Sequence, residues 1–284
     1  MTSVSGKIAL VTGGGSGIGL SFCELIVSKG AKVIIGDLRL QPEAQKLVES
    51  SNGNVVFKQT DVTDWKQLTD LFTYAEKEVG APDLVVLAAG IFEPKWSSFW
   101  EDTETSSYKT VDINITHPIK ATRLAIRSFL RNSKSAGTIL HLSSIGGQTT
   151  RLGVPIYCAT KAFINHFVRA FASLESSFNI RVLAVAPGMV RTPLWFEQNP
   201  EKLKSVTEAD HWIEPREIAE ALLECFETRE FPGGSIVEAS GQGRRRGVEV
   251  FNDAGPPGIG GTEGSNTALE EDVMKMMEQE RGRK

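Results

Sequence analysis

The chain has 284 residues, 40% hydrophobic and 23% charged, with a formal net charge of −4. That balance suits one large α/β domain with a substantial core and excludes wholesale disorder and fibrous repeats. A mildly acidic chain gives no electrostatic reason to expect nucleic acid or a membrane surface as partner, no apolar run reaches the roughly 18–20 residues of a bilayer span, and Met1–Lys7 shows no basic-then-apolar leader.

In chain order, β-rich runs alternate with helical patterns. Strands are expected at Lys7–Thr12, Lys32–Gly36, Val55–Gln59, Leu84–Ala88, Thr138–Leu142, Arg181–Val185 and Ser235–Glu238, with helices beginning near Gly17, Pro42, Asp64, Thr105, Pro155 and Glu214 between them. Most of these strands are continuously apolar, as strands covered on both faces must be. Right-handed crossovers then produce a Rossmann-like, doubly wound parallel sheet of about seven strands in a single domain over residues 1–240. Residues 241–284 form a C-terminal extension. In it, Arg244-Arg245-Arg246 reads as a solvated turn and Asn252–Asn266 as a flexible Gly/Pro-rich segment. Thr267 to Glu270 reads as a capping box opening a short helix with Leu269, Val273, Met276 and Met277 on one face. A loosely held extension is expected there, ahead of docking on its own domain or on a neighbouring subunit.

The turn after the first strand, Thr12-Gly13-Gly14-Gly15-Ser16-Gly17-Ile18-Gly19, places glycines at 13, 17 and 19 just before a helix. Residues without Cβ allow a tight turn, so that backbone N–H groups and a helix N-terminus face a pyrophosphate. Asp37 ends the second strand, 18 residues beyond Gly19. A carboxylate there accepts both adenosine ribose hydroxyls and repels a 2′-phosphate, which favours NAD over NADP. Arg39 lies close enough to soften that repulsion, and an acid in this place can also simply cap a turn.

Tyr157 and Lys161 lie at i and i+4, on one helical face. Ser144 precedes Tyr157 by 13 residues, just past a strand end, and Asn114 sits in the helical run Val111–Ile115. Pro187-Gly188-Met189-Val190-Arg191-Thr192 follows another strand end. Ligands gather outside the carboxyl ends of strands in such sheets, where these groups converge.

With those motifs in this order, the chain from Ser5 to Glu238 resembles the short-chain dehydrogenase/reductase family. Its NAD-dependent hydroxyprostaglandin dehydrogenase type is most similar, through Val154–Lys161 and Asp37. The resemblance implies that Tyr157 is the general acid/base and that Lys161 lowers its pKa and binds nicotinamide ribose. Ser144 would hold the substrate oxygen, and Asn114 a water in a proton relay ending at Lys161. Cofactor contacts would come from Gly13, Gly15, Ser16, Gly17, Ile18, Gly19 and Asp37, from Asp61 and Val62 at the adenine, from Ala89 and Gly90, and from Pro187, Gly188, Val190 and Thr192 around the nicotinamide. Where the family usually has Asn-Asn-Ala-Gly, this chain has Leu87-Ala88-Ala89-Gly90, which should cost polar contacts that tie the sheet together. The resemblance also implies a homodimer or homotetramer.

The expected activity is hydride transfer between NAD and a secondary alcohol or ketone. Phe92, Trp195 and Phe196 near the expected pocket, in and before a lid over about residues 190–213, point to an apolar substrate of moderate size, unless they pack under the loop or at a subunit contact. Gln148 is a further candidate substrate contact. An NADPH-dependent ketoreductase and a catalytically silent nucleotide-binding scaffold are the competing readings. Cys23, Cys158 and Cys225 form no C-x-x-C pair, and the four histidines lack ligand spacing, so no metal is expected and a reduced, cytoplasmic setting fits.

Overall fold

Strands that are apolar along their whole length must be covered on both sides, and β1 (Ile8–Thr12) shows how that is done here. Ala9 and Val11 enter one core and Leu10 the other, because successive strand side chains point to opposite faces. The computed structural model describes residues 2–131, 136–249 and 267–281. After β1 come α1 (Gly17–Ser28), β2 (Lys32–Asp37), α2 (Pro42–Ser50), β3 (Val55–Gln59), α3 (Trp65–Tyr74), β4 (Leu84–Leu87), α4 (Lys109–Val111), α5 (His117–Arg131) and β5 (Gly137–Leu142). The second half holds α6 (Pro155–Arg169), α7 (Leu174–Phe178), β6 (Ile180–Pro187), α8 (Pro193–Phe196), α9 (Pro215–Glu227), β7 (Ile236–Ala239), β8 (Arg245–Gly247) and α10 (Thr267–Glu280).

The sheet order is β3-β2-β1-β4-β5-β6-β7-β8, with every pair parallel except β7–β8. α1 and α9 cover one face, while α3, α5 and α6 cover the other. The order reverses between β1 and β4, which opens a crevice beyond their carboxyl ends.

Three sequence expectations need correction. The arginine run is a solvated turn only at Arg244: Arg245 and Arg246 enter the antiparallel edge strand β8, where Arg246 stands opposite Glu238 and binds both its carboxylate oxygens at 3.0 and 2.6 Å. Arg245 reaches back to the Glu217 carbonyl at 2.8 Å. The helix expected from Thr105 begins only at Lys109. The Ser106 hydroxyl accepts from Thr103 N and donates to Thr103 O, a local turn that competes with helix.

The third correction concerns α10, which docks on α5 rather than hanging loose. Glu280 pairs with Arg123 at 2.5 Å and Arg127 at 3.4 Å, and Met277 is buried with Met274 beside it. The packed face is therefore Met274 and Met277, while Val273 and Met276 face outward. The Asn252–Asn266 segment and the side chains of Thr267 and Leu269 lie outside the described residues.

Candidate active site

The glycine turn joins β1 to α1 at the crevice. Gly13 and Gly17 have φ of +72° and +55°, in the left-handed region that favours glycine. A Cβ on Gly13 would lie 2.4 Å from the Ala89 nitrogen, and one on Gly19 2.2 Å from the Gly13 oxygen, so the turn packs directly on the end of β4. A cleft of about 690 Å³ opens here, walled by Gly13, Ser16, Gly17, Ile18, Gly19, Asp37, Asp61, Val62, Ala89, Gly90 and Thr192. Gly15 is not on that wall. Its N–H donates to Asp37 Oδ2 at 2.9 Å, and a Cβ there would strike the same carboxylate and the Arg39 carbonyl. Its lack of a side chain thus serves to seat Asp37.

Burial raises the Asp37 carboxyl pKa, against the pull of hydrogen bonds from the Gly15 and Arg39 amides. At the far end of the cleft, Asp61 Oδ1 accepts from the Thr63 amide and hydroxyl at 2.9 and 2.7 Å, which fixes the carboxylate's orientation. Thr12 Oγ1, at the end of β1 opposite Leu87, is buried without a hydrogen-bond partner among the described residues.

A second cavity of about 430 Å³ shares Ile18, Gly90, Thr192 and Leu194 with the cleft and contains Ser144, Tyr157, Lys161, Pro187, Gly188 and Val190. Tyr157 and Lys161 come from the first two turns of α6, and Ser144 from the loop after β5. Burial pushes the Tyr157 phenol up to about 12, and a hydrogen bond with Ser144 pulls the other way. Gly146 N donates to Ser144 Oγ at 3.0 Å, holding that hydroxyl toward the phenol. The Lys161 ammonium lies 5.6 Å from the Tyr157 ring centre and donates to the Leu142 carbonyl at 2.7 Å. Burial lowers Lys161 to about 8.

Asn114 lines neither space. Its Oδ1 accepts from Ile91 N at 3.0 Å, and its Nδ2 donates to Ile91 O and Thr160 Oγ1 at 2.9 and 3.2 Å. The amide clamps the segment after β4 to α6, from a π-helical turn at Asp112–Thr116, a distortion often found near functional sites. Gly90 lies against it: a Cβ there would be 3.4 Å from Asn114 Oδ1 and 3.8 Å from Lys161 Nζ.

Of the substrate candidates, Phe92 and Trp195 line the cavity, whereas Gln148 and Phe196 do not. Phe92 meets the Tyr157 ring edge-on at 4.6 Å and the Trp195 ring at 4.8 Å. Phe196 turns outward instead, against Trp212 and the Arg191 guanidinium. The lid closes on itself at its base, where Val190 bridges Ile213.

Glu93 and Lys202 were missed from the sequence. Glu93 is buried with φ of +45°. Its carboxylate accepts from Tyr157 N at 2.8 Å and from Phe99 N at 3.1 Å. Lys202, on the lid, donates to the Glu93 carbonyl at 2.8 Å. The only available signal was a lone acid between Phe92 and Pro94 just past a strand end.

Among the described residues no His, Cys, Asp and Glu cluster suits a metal ion, and no helix is long and apolar enough to cross a membrane. The glycine cradle, the paired acids and the shared wall fit a dinucleotide reaching from Asp61 and Asp37 to Lys161.

Residues 7–203 match the short chain dehydrogenase family. The chain is 31% identical over 227 residues, 78% of its length and 92% of the relative's, to an uncharacterized oxidoreductase of Staphylococcus aureus (strain MRSA252). It is 34% identical over 198 residues, 67% of its length and 71% of the relative's, to human 15-hydroxyprostaglandin dehydrogenase [NAD(+)]. A crystal structure of gox2181 superposes with a TM-score of 0.73 at 26% identity, covering 84% of this chain and 96% of that one. The chain belongs to the short-chain dehydrogenase/reductase family of oxidoreductases.

Proposed function

We propose that the protein is an NAD(H)-dependent oxidoreductase that moves a hydride between the cofactor and a secondary alcohol or ketone, with Tyr157 as general acid/base. The observation that carries this is the Ser144–Tyr157–Lys161 arrangement at the wall shared by cleft and cavity. When bound, the cofactor supplies the hydride acceptor or donor. Ser144 holds the substrate oxygen, and Tyr157 takes its proton as the alcohol is oxidised or returns it as the ketone is reduced. A phenol held near 12 is a poor base at neutral pH. The Lys161 ammonium, with the positive charge of the oxidised cofactor, favours phenolate and brings the group toward the working range.

Asp37 facing the ribose end supports NAD, as does the printed name of the human relative. Arg39, on the same wall, favours the second reading, NADPH. The cavity combines apolar walls, including Phe92, Leu194 and Trp195, with Arg151, Lys202 and Lys204 against one acid, Asp210. That lining supports an apolar alcohol or ketone that carries an acidic group. The test is absorbance at 340 nm over a panel of long-chain hydroxy acids and their esters with each cofactor in turn. Turnover with NAD⁺ and faster rates for the acids are expected. Consumption of none would refute the redox reading and favour a silent nucleotide-binding protein, and faster rates with NADP⁺ would favour the ketoreductase.

A further inference from the structure

We infer that Glu93 is a positioning residue for the reaction, its carboxylate fixing the first turn of α6 and with it the place of the Tyr157 hydroxyl. The inference rests on Tyr157 being the acid/base group. Helices usually take caps from neighbouring residues. Here the acceptor comes from 64 residues away, is 1% exposed, and bonds the amide of Tyr157 itself. The other carboxylate oxygen holds Phe99 N, so the side chain is anchored at both oxygens. The left-handed backbone at Glu93 is uncommon for a residue with a side chain. The adjacent Phe92 touches the Tyr157 ring at 4.6 Å, so one short segment grips this residue by its backbone nitrogen and by its ring.

The same segment receives the lid. Lys202 donates to the Glu93 carbonyl and lies 5.1 Å from the Phe92 ring centre. A lid seated there bears on the residues that place the phenol. Glu93 itself lines neither the cleft nor the cavity, so its influence passes through Tyr157.

Glu93→Gln keeps the size of the side chain but leaves one acceptor oxygen for two N–H donors. The chain has three tyrosines, so protein carrying ¹³C at the tyrosine ζ-carbon gives three resonances, with that of Tyr157 assigned through Tyr157→Phe. In the full-length Glu93→Gln protein at pH 7, the Tyr157 signal should move toward the free-tyrosine position while the other two stay. NADH affinity should be unchanged, and kcat for the best alcohol of the panel should fall about 10- to 100-fold at unchanged KM. If Glu93→Gln does not fold, Glu93→Ala prepared in excess formate takes its place. Formate should restore the Tyr157 signal and kcat, and its removal should abolish both. A folded variant whose Tyr157 resonance stays put, or moves without loss of kcat, overturns the inference. Wild-type protein that consumes no alcohol, yet whose Tyr157 signal moves on substitution, refutes the redox reading and supports the placement of the phenol by Glu93.

Discussion

Lys161→Met removes a buried charge, and its signature is a change in how stability depends on pH. Burial lowers the lysine from 10.5 to about 8. Between those values the unfolded chain holds one more proton than the folded one, so raising the pH stabilises the wild type; below about 8 the full penalty of the buried ammonium applies. Linkage between these two values gives a penalty of about 3 kcal/mol at pH 7 and about 1 kcal/mol at pH 10. Methionine carries no charge and fills similar space, so the variant lacks this slope. Its loss of the hydrogen bond that the amine keeps to the Leu142 carbonyl even when neutral, about 1 kcal/mol, shifts its stability at both pH values alike. Tyr157 is raised to about 12 in the wild type, and loss of a neighbouring cation favours the neutral phenol further, so the folded phenol stays protonated through pH 10 in both proteins and its titration cancels in the comparison. Urea unfolding at pH 7 and pH 10 measures the effect as a change in midpoint at constant slope. The stability of the variant relative to wild type should fall by about 2 kcal/mol between the two. A gap independent of pH would refute the assignment of a buried ammonium at this position.

Asp37→Ala should weaken NADH binding by about 10- to 100-fold, through loss of charge-assisted hydrogen bonds to the ribose, and leave NADPH unharmed or improved; fluorescence titration of both cofactors checks it, and equal losses would contradict it. His117 and His141 are buried and held down by desolvation to about 4 and about 3. The unfolded chain therefore takes up protons first as pH falls below about 6.5, and each histidine should cost about 2 kcal/mol of stability by pH 5. Urea midpoints of His117→Gln should fall less steeply with acid, and an unchanged acid profile would count against this. Arg151→Glu with Lys204→Glu should raise KM for a hydroxy acid about 10-fold or more and leave that of its methyl ester alone; equal changes for both would remove the acidic-group reading.

How far the sequence reveals this molecule depends on where each residue's partners lie. Continuous apolar runs at Val182–Pro187 and Leu84–Leu87 carry their burial in their own composition, and glycines 13 and 19 follow from contacts a Cβ would forbid. Tyr157 and Lys161 share a helix, so their proximity can be read from spacing alone. Glu93 leaves no such pattern, because it accepts from a backbone amide that any residue at 157 would supply. β8 depends on register with Glu238, and α10 on Arg123 and Arg127 of another helix, which local periodicity does not encode. Phe196 belongs to an aromatic-rich lid, yet it packs outward on Arg191 and one side of Trp212, while Trp195, which also meets Trp212, turns into the cavity.

Turnover by Tyr157→Phe tests the central claim most directly, since it deletes one oxygen atom and leaves the ring packed on Phe92. With the best alcohol and NAD⁺, the rate followed at 340 nm should fall by about 10²- to 10⁴-fold, the usual worth of a positioned proton acceptor, while NADH binds as tightly as before. A variant that keeps the wild-type rate would show that the proton leaves by another group and would contradict the account.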